Sequence, residues 1–221
     1  MQARELINEY LREGRLSANR SQPIGAGSYG TVYRSDEPGY VIKQNHPQRF
    51  MDDLEKETNL QAIAAELGIA PAIRSYERFP EGTQRIEMAD ARTNYVPTDE
   101  SAATEMRTAQ QLGELALKGV RLEDRRGANV MQHSMTGRPL QLDFGIAGRV
   151  SGEDQALVLA QATQEGMKAA GLGEVGDILY ATVGDMVAGG DVAAAMDLAK
   201  QGFSRLQKIK APLEEAVSLY L

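Results

Sequence analysis

The sequence predicts an α+β fold in two lobes, a small β-rich N-terminal lobe and a reduced, mostly helical C-terminal lobe. Three observations carry this. Short runs of β-branched and aromatic residues, punctuated by Gly, Pro and Asp, fill much of the stretch from Ser21 to Met88. One helical pattern interrupts them, between Gln48 and Leu67. From Ser101 onward the apolar spacing is helical, except for one embedded hairpin. Two lobes joined by a linker leave a cleft between them, and clefts are common ligand sites.

The elements follow in order. Leu6, Ile7 and Leu11 place a short amphipathic helix over residues 2–13. Ser21 to Tyr33 is glycine-rich and ends in Val32-Tyr33, which reads as strand, tight turn, strand. After the turn signal Asp36-Glu37-Pro38-Gly39, Tyr40 to Lys43 is a further strand. In the helix from Gln48 to Leu67, the residues Leu54, Leu60, Ile63, Ala64 and Leu67 fall mainly on one face. Gly68 stops that helix and Pro71 prevents its return. Ile73–Phe79 and Thr83–Met88 flank Glu81-Gly82 as a hairpin. Ala89 to Asp99 reads as a linker. Ala102–Lys118 is a helix ended by Gly119, and Val130–His133 and Leu140–Leu142 are short strands around Thr136-Gly137. Helices then occupy 153–170, 174–188, 191–208 and 211–220. The whole chain is read as one bilobal domain over 1–221, with an N-lobe of about 1–88, a hinge of about 87–99 and a C-lobe of about 100–221.

Composition narrows the function. A chain of 221 residues can remove roughly 70% of its unfolded surface from water. Trp is absent and aromatics are few, so the core depends on Leu, Ile, Val, Ala and Met. The formal net charge of −7 argues against a general nucleic-acid binder, which needs a basic surface to displace counterions. It leaves room for a nucleotide, whose phosphates need only a few cations and a metal. There are no cysteines, so disulfides, thiolate zinc sites and thiol nucleophiles are excluded. No apolar run is long enough for a membrane span, and the charged N-terminus lacks a signal-peptide core. His46 and His133 are far apart in sequence without a carboxylate cluster around either, which argues against a histidine metal site.

Four motifs carry chemistry. Gly25-Ala26-Gly27-Ser28-Tyr29-Gly30-Thr31-Val32 has the G-x-G-x-x-G-x-V form. Glycines let a backbone approach phosphates closely. The segment continues as strand after Gly30 rather than as helix, which favours a hairpin flap over a nucleotide to a dinucleotide-binding turn. Lys43 follows at the end of Val41-Ile42-Lys43, where a cleft-facing ammonium can contact phosphates. A carboxylate on the next helix could orient it, with Glu57 as first choice and Glu55 as runner-up. The third motif is Leu122-Glu123-Asp124-Arg125-Arg126-Gly127-Ala128-Asn129. Here Asp124 can orient or deprotonate an attacking hydroxyl, Asn129 offers a hard oxygen ligand to Mg²⁺, and Arg126 can offset charge on a transferred phosphoryl group. The fourth is Leu142-Asp143-Phe144-Gly145, a strand-end Asp able to hold a metal that bridges nucleotide phosphates.

In this order and spacing, the four motifs resemble the protein-kinase superfamily set over roughly residues 20–150. The resemblance implies a five-stranded N-lobe, a hinge and a helical C-lobe. It also implies ATP and Mg²⁺ as cofactors. Gly25, Ala26, Gly27, Ser28, Tyr29, Gly30 and Val32 would then cover the ATP phosphates, with Lys43 paired to Glu57 beneath them. Asp124 would be the catalytic-loop aspartate, and Asn129 and Asp143 the metal ligands. Ile86 would precede the hinge, and the Glu87–Ala89 backbone would meet adenine.

Two departures are informative. The family's H-R-D reads Leu122-Glu123-Asp124, so a carboxylate replaces the arginine that binds a phosphorylated activation loop. No activation by phosphorylation between residues 146 and 156 is therefore expected, while Leu122 can fill the apolar role of the missing histidine. No A-P-E follows Asp143-Phe144-Gly145, so the segment that docks a peptide is short or missing. This is similar to the reduced kinases among bacterial effectors and phage proteins. The leading expectation is a minimal serine/threonine protein kinase acting on a protein substrate, with an activating partner as an option. Arg126 stands where Ser/Thr kinases carry a Lys. The alternatives are a small-molecule kinase of the aminoglycoside or choline type, and a pseudokinase that serves as a binding module. The expected location is cytoplasmic, including a host cell if the protein is a delivered effector, with neither nucleic acid nor membrane as partner.

Overall fold

The computed structural model describes residues 23–27, 30–45, 54–99, 101–123 and 129–209. The expected helices over 2–13 and 211–220, Ser28 and Tyr29 of the glycine-rich turn, and Asp124 and Arg126 lie outside these residues.

Five antiparallel strands form the N-terminal sheet: β1 (Pro23–Gly27), β2 (Gly30–Arg34), β3 (Tyr40–Gln44), β4 (Ile73–Arg78) and β5 (Gln84–Ala89). Their order in space is β1-β2-β3-β5-β4. The period of two in strands decides which side chains share a face. Val41 and Lys43 of β3 are buried, as are Gln84, Ile86 and Met88 of β5. The register sets Val41 opposite Met88 and Lys43 opposite Ile86, so these four share one face. That face receives α1 (Leu54–Glu66), whose buried residues are Leu54, Glu57, Leu60, Gln61 and Ala64. Gly68, at φ +68°, ends α1 with the Ile69 N–H returning to Ala64 O.

Residues 89–99 are more ordered than a linker. After β5 a short 3₁₀ turn (Ala91–Thr93) leads into β6 (Tyr95–Pro97), which pairs with β8 (Val130–His133). β8 in turn pairs with β9 (Pro139–Gln141). Tyr95 also stacks edge-on against His133. Local sequence marked this stretch as irregular because Asn94 and Pro97 interrupt any pattern. The strand exists because a distant hairpin supplies its partner.

The C-terminal lobe is built from α2 (Ala102–Leu117), α3 (Gly152–Ala169), α4 (Gly173–Ala188) and α5 (Val192–Leu206). Ser101 caps α2 by accepting the Thr104 N–H, and Asp191 caps α5 by accepting the Ala194 N–H. A two-stranded ribbon, β7 (Val120–Arg121) with β10 (Gly148–Arg149), was not evident in the sequence because each strand has only two residues. Phe203, Leu206, Ala199, Met106 and Leu159 lie at the centre of this lobe's core. A second core joins the lobes: Leu60, Ala64 and Ile69 pack with Leu112, Leu115, Leu122 and Phe144. Two hydrogen bonds tie the same seam, from Gln141 N–H to Ile69 O and from Arg138 to Leu67 O. No described helix is long and apolar enough to cross a membrane.

Candidate active site

A cavity of about 760 Å³ opens between the lobes. Its apolar walls come from Ile24, Val32 and Val41 on the sheet side, Met88 on β5, and Met131 and Leu142 on the opposite side. Its polar end holds Lys43, Asn129 and Asp143. Volume and walls of this kind suit a flat heteroaromatic ring with charged groups at one end.

Lys43 is held there by two carboxylates. Its Nζ lies 2.6 Å from Glu57 Oε1 and 3.1 Å from Asp143 Oδ1. Lys43 and Glu57 are 7% and 3% exposed, so neither charge is shared with bulk water. Burial opposes the Lys43 charge, yet the neighbouring Glu57 and Asp143 carboxylates outweigh it and raise the lysine above its ordinary value. Burial pushes the Glu57 carboxyl up. The Lys43 ammonium and a hydrogen bond from the Phe144 backbone pull against that shift. Glu55, the other candidate partner, is exposed and lies 3.8 Å from Arg78 instead. Helical geometry explains the split: Glu57 shares the face of Leu54, Leu60, Gln61 and Ala64, which packs on the sheet.

Asp143 follows β9 and is positioned from three sides. It accepts from Lys43 and from the Gly145 N–H at 3.0 Å, while the adjacent Phe144 is fully buried in the core that joins the lobes. Leu122 packs in that same core, in the apolar role expected for it. Asn129 is brought beside Asp143 through the backbone bond from Leu142 N–H to Asn129 O, 2.9 Å long. Glu123 is exposed, 3.3 Å from Arg121.

On the roof, Gly25, Ala26, Gly30 and Val32 line the cavity. Gly27 pairs with Gly30 in the β1–β2 register. Only glycine fits at position 30, where φ is +146° and an added Cβ would lie 2.5 Å from Gln44 O. On the linker side, Ala89 lines the cavity but Glu87 does not. Strand alternation turns Glu87 to the other face, where its carboxylate accepts the Ser35 hydroxyl. Ile86 is fully buried under the sheet. The wall runs on through Asp90, Ala91 and Arg92, with Asp90 accepting two hydrogen bonds from the Arg92 guanidinium, which hold its carboxyl below the usual range. Sequence reasoning missed Val41, Ala91, Met131 and Leu142 as wall residues and gave Met88 only as part of a backbone stretch. Of the missed wall residues, Val41 alone had a local signal, its place two residues before Lys43 on one strand.

The donor set at the polar end fits a hard divalent cation. Asp143, with its side chain 30% exposed, and Asn129 line the same wall with oxygen donors. Magnesium asks for one or two such ligands and takes the rest from phosphates and water.

No protein-family profile matches the sequence, and no curated protein matches it. Similar solved structures are protein kinases. The PK-1 kinase of Cydia pomonella granulovirus is 13% identical over 65% of this chain and 60% of that one, with a TM-score of 0.46. The PknI kinase domain of Mycobacterium tuberculosis is 19% identical over 65% of this chain and 71% of that one, with a TM-score of 0.45. A double-mutant form of the same domain is 17% identical over 84% of this chain and 94% of that one, with a TM-score of 0.49. The chain thus spans about three-fifths of the viral kinase's length. Judged by its own strand order, lobe arrangement and buried ion pair, the chain has a protein-kinase-like fold.

Proposed function

We propose that this protein is an ATP- and Mg²⁺-dependent phosphotransferase that acts on a hydroxyl, with protein serine or threonine as the leading acceptor class. The observation that carries the reading is Lys43 bonded to both Glu57 and Asp143 at the polar end of an apolar cavity. An isolated strand lysine is usually solvated. One that is buried and held by two carboxylates is built to present charge at one point.

In this reading the apolar walls hold the adenine and the β1–β2 hairpin covers the phosphates. Lys43 steadies the phosphates nearest the ring, with Glu57 fixing where its ammonium points. Asn129 and Asp143 would hold Mg²⁺, which when bound neutralises charge on the phosphates. Asp124 takes the proton of the acceptor hydroxyl as its oxygen attacks the γ-phosphorus. The bond to the β,γ-bridging oxygen breaks, and that oxygen leaves with ADP. Arg126 offsets charge on the group in transit.

A second reading has one observation in its favour. Only Val150 and Ser151 separate β10 from α3, so no peptide-docking segment lies between them. A small hydroxyl-bearing acceptor, such as an aminoglycoside or choline, needs no such segment. A pseudokinase role would keep the cavity without transfer. The cytoplasm remains the proposed location, with ATP at hand, and an activating protein partner remains an option.

Incubation with γ-labelled ATP and Mg²⁺, wild type beside Asp143→Ala, tests the proposal. Label is expected on the protein itself or on a generic protein acceptor with wild type and not with the variant. Equal labelling by both would remove the mechanism. ATP binding without transfer to protein, hydroxylated small molecules or water would leave the pseudokinase reading in its place.

A further inference from the structure

One turn beyond Glu57, α1 buries a second polar side chain. Gln61 is fully buried. Its Nε2 donates to Pro71 O at 3.0 Å and lies 3.4 Å from Met88 Sδ. Its Oε1 has no protein partner among the described residues. The orientation of the amide follows from chemistry, because a carbonyl oxygen only accepts and the nitrogen must face it.

A buried acceptor left unmade destabilises a protein, and an apolar side chain of equal length would avoid that cost. Leu60 and Ala64 on the same helix are buried in apolar surroundings, so such a residue would suit the site. What glutamine adds is a directed donor. Both of its acceptors line the cavity: Pro71 precedes β4, and Met88 on β5 lies opposite Val41. Glu57 and Gln61 are four residues apart and share one helix face. Apolar packing turns this face of α1 toward the sheet, and the amide bond to Pro71 O adds a directed link that fixes its final angle.

We propose that Gln61 is a positioning residue for phosphate transfer. Its amide fixes the rotation of α1 against the rear wall of the cavity and so keeps Glu57 on Lys43. The inference rests on the phosphotransferase reading of the same cavity.

The test compares wild type with Gln61→Leu and Gln61→Glu. The readouts are kcat and KM for ATP, the thermal midpoint, and the Lys43–Glu57 distance in a crystal structure of each form. Gln61→Leu removes the donor and the orphaned acceptor together. It is expected to melt at or above the wild-type temperature. Its kcat should fall about tenfold, the equivalent of one ordinary hydrogen bond, while KM changes far less. The Lys43 Nζ–Glu57 Oε1 contact, 2.6 Å in the wild type, should lengthen beyond hydrogen-bond reach. Gln61→Glu keeps the shape, and its carboxyl can donate to Pro71 O only when protonated. Its kcat should approach wild type at low pH and fall as the carboxyl ionises, a profile that a packing defect would not produce.

Wild-type kcat and an unchanged Lys43–Glu57 contact in Gln61→Leu would overturn the proposal. If Gln61→Leu does not fold, a pH-independent Gln61→Glu would overturn it instead. If the wild-type protein transfers no phosphate, the phosphotransferase reading fails by itself. The Lys43–Glu57 distance still decides whether Gln61 positions the pair.

Discussion

Lys43 carries its charge where burial by itself would discharge it, because Glu57 and Asp143 stand within hydrogen-bond reach. The two partners respond to pH in ways that can be separated. The lysine is raised in the fold, so its contribution to stability is full below its ordinary 10.5 and is lost only as pH climbs through the folded value. Glu57 is raised as well, by burial, so the folded protein holds that proton more tightly than the unfolded chain. Its contribution is greatest below the ordinary 4.5 and falls as pH rises through the folded value. Denaturant unfolding of wild type beside Glu57→Gln across that window should show it. The stability of wild type relative to the variant should decline with rising pH, by at most about 1.4 kcal/mol per pH unit. A difference independent of pH would mean that Glu57 keeps an ordinary pKa. At this scale Lys43, Asn129 and Asp143 were legible, because each sits at a fixed offset in a short motif. Choosing Glu57 over Glu55 needed the helix rotation. Met131 was hidden because a residue on the far wall of the cavity carries no local mark.

Elements pack through glycines that sequence periodicity passes over. An added Cβ at Gly113 of α2 would lie 2.0 Å from the Phe203 ring of α5, and one at Gly202 of α5 would lie 2.4 Å from Leu179 of α4. These glycines let large side chains sit where a methyl group would be. Gly184, within α4, has nothing within 4 Å of such a Cβ. The same substitution should therefore act in opposite directions. Gly113→Ala should lose about 1–3 kcal/mol by overpacking. Gly184→Ala should gain about 0.5–1 kcal/mol through helix propensity. Urea midpoints of the two variants check the pair, and equal shifts would mean the α2–α5 contact is looser than described. The bounds of α2 to α5 were readable from apolar spacing to within a residue or two, while residues 48–53 of the helix expected from Gln48 lie outside the described residues. β6, β7 and β10 were not, because strands of two or three residues are stabilised by partners far along the chain rather than by their own composition.

For the whole molecule, the core that joins the lobes places Phe144 and Leu122 under the cavity without help from a phosphate. Glu123 beside the loop is a carboxylate and would repel one. Ser151 is the sole hydroxyl residue between 146 and 156, and its side chain makes no capping bond at the start of α3. Ser151→Ala should thus leave both phosphate transfer and the thermal midpoint unchanged. A drop in transfer, restored by an acidic side chain at that position, would reveal regulation by phosphorylation after all.

By itself, the sequence determined the two-lobe division, the helical spacing and the order of the chemical motifs, since these depend on neighbours a few residues apart. Tertiary structure decided what the motifs do together. It selected Glu57 by rotating α1, turned the Glu87 side chain away from the cavity while extending the wall past Ala89 to Arg92, and turned an irregular linker into a strand. It also buried the Gln61 amide behind Met88. Each of these is a contact between residues far apart in the chain, and the energy that selects it appears only when both surfaces are present.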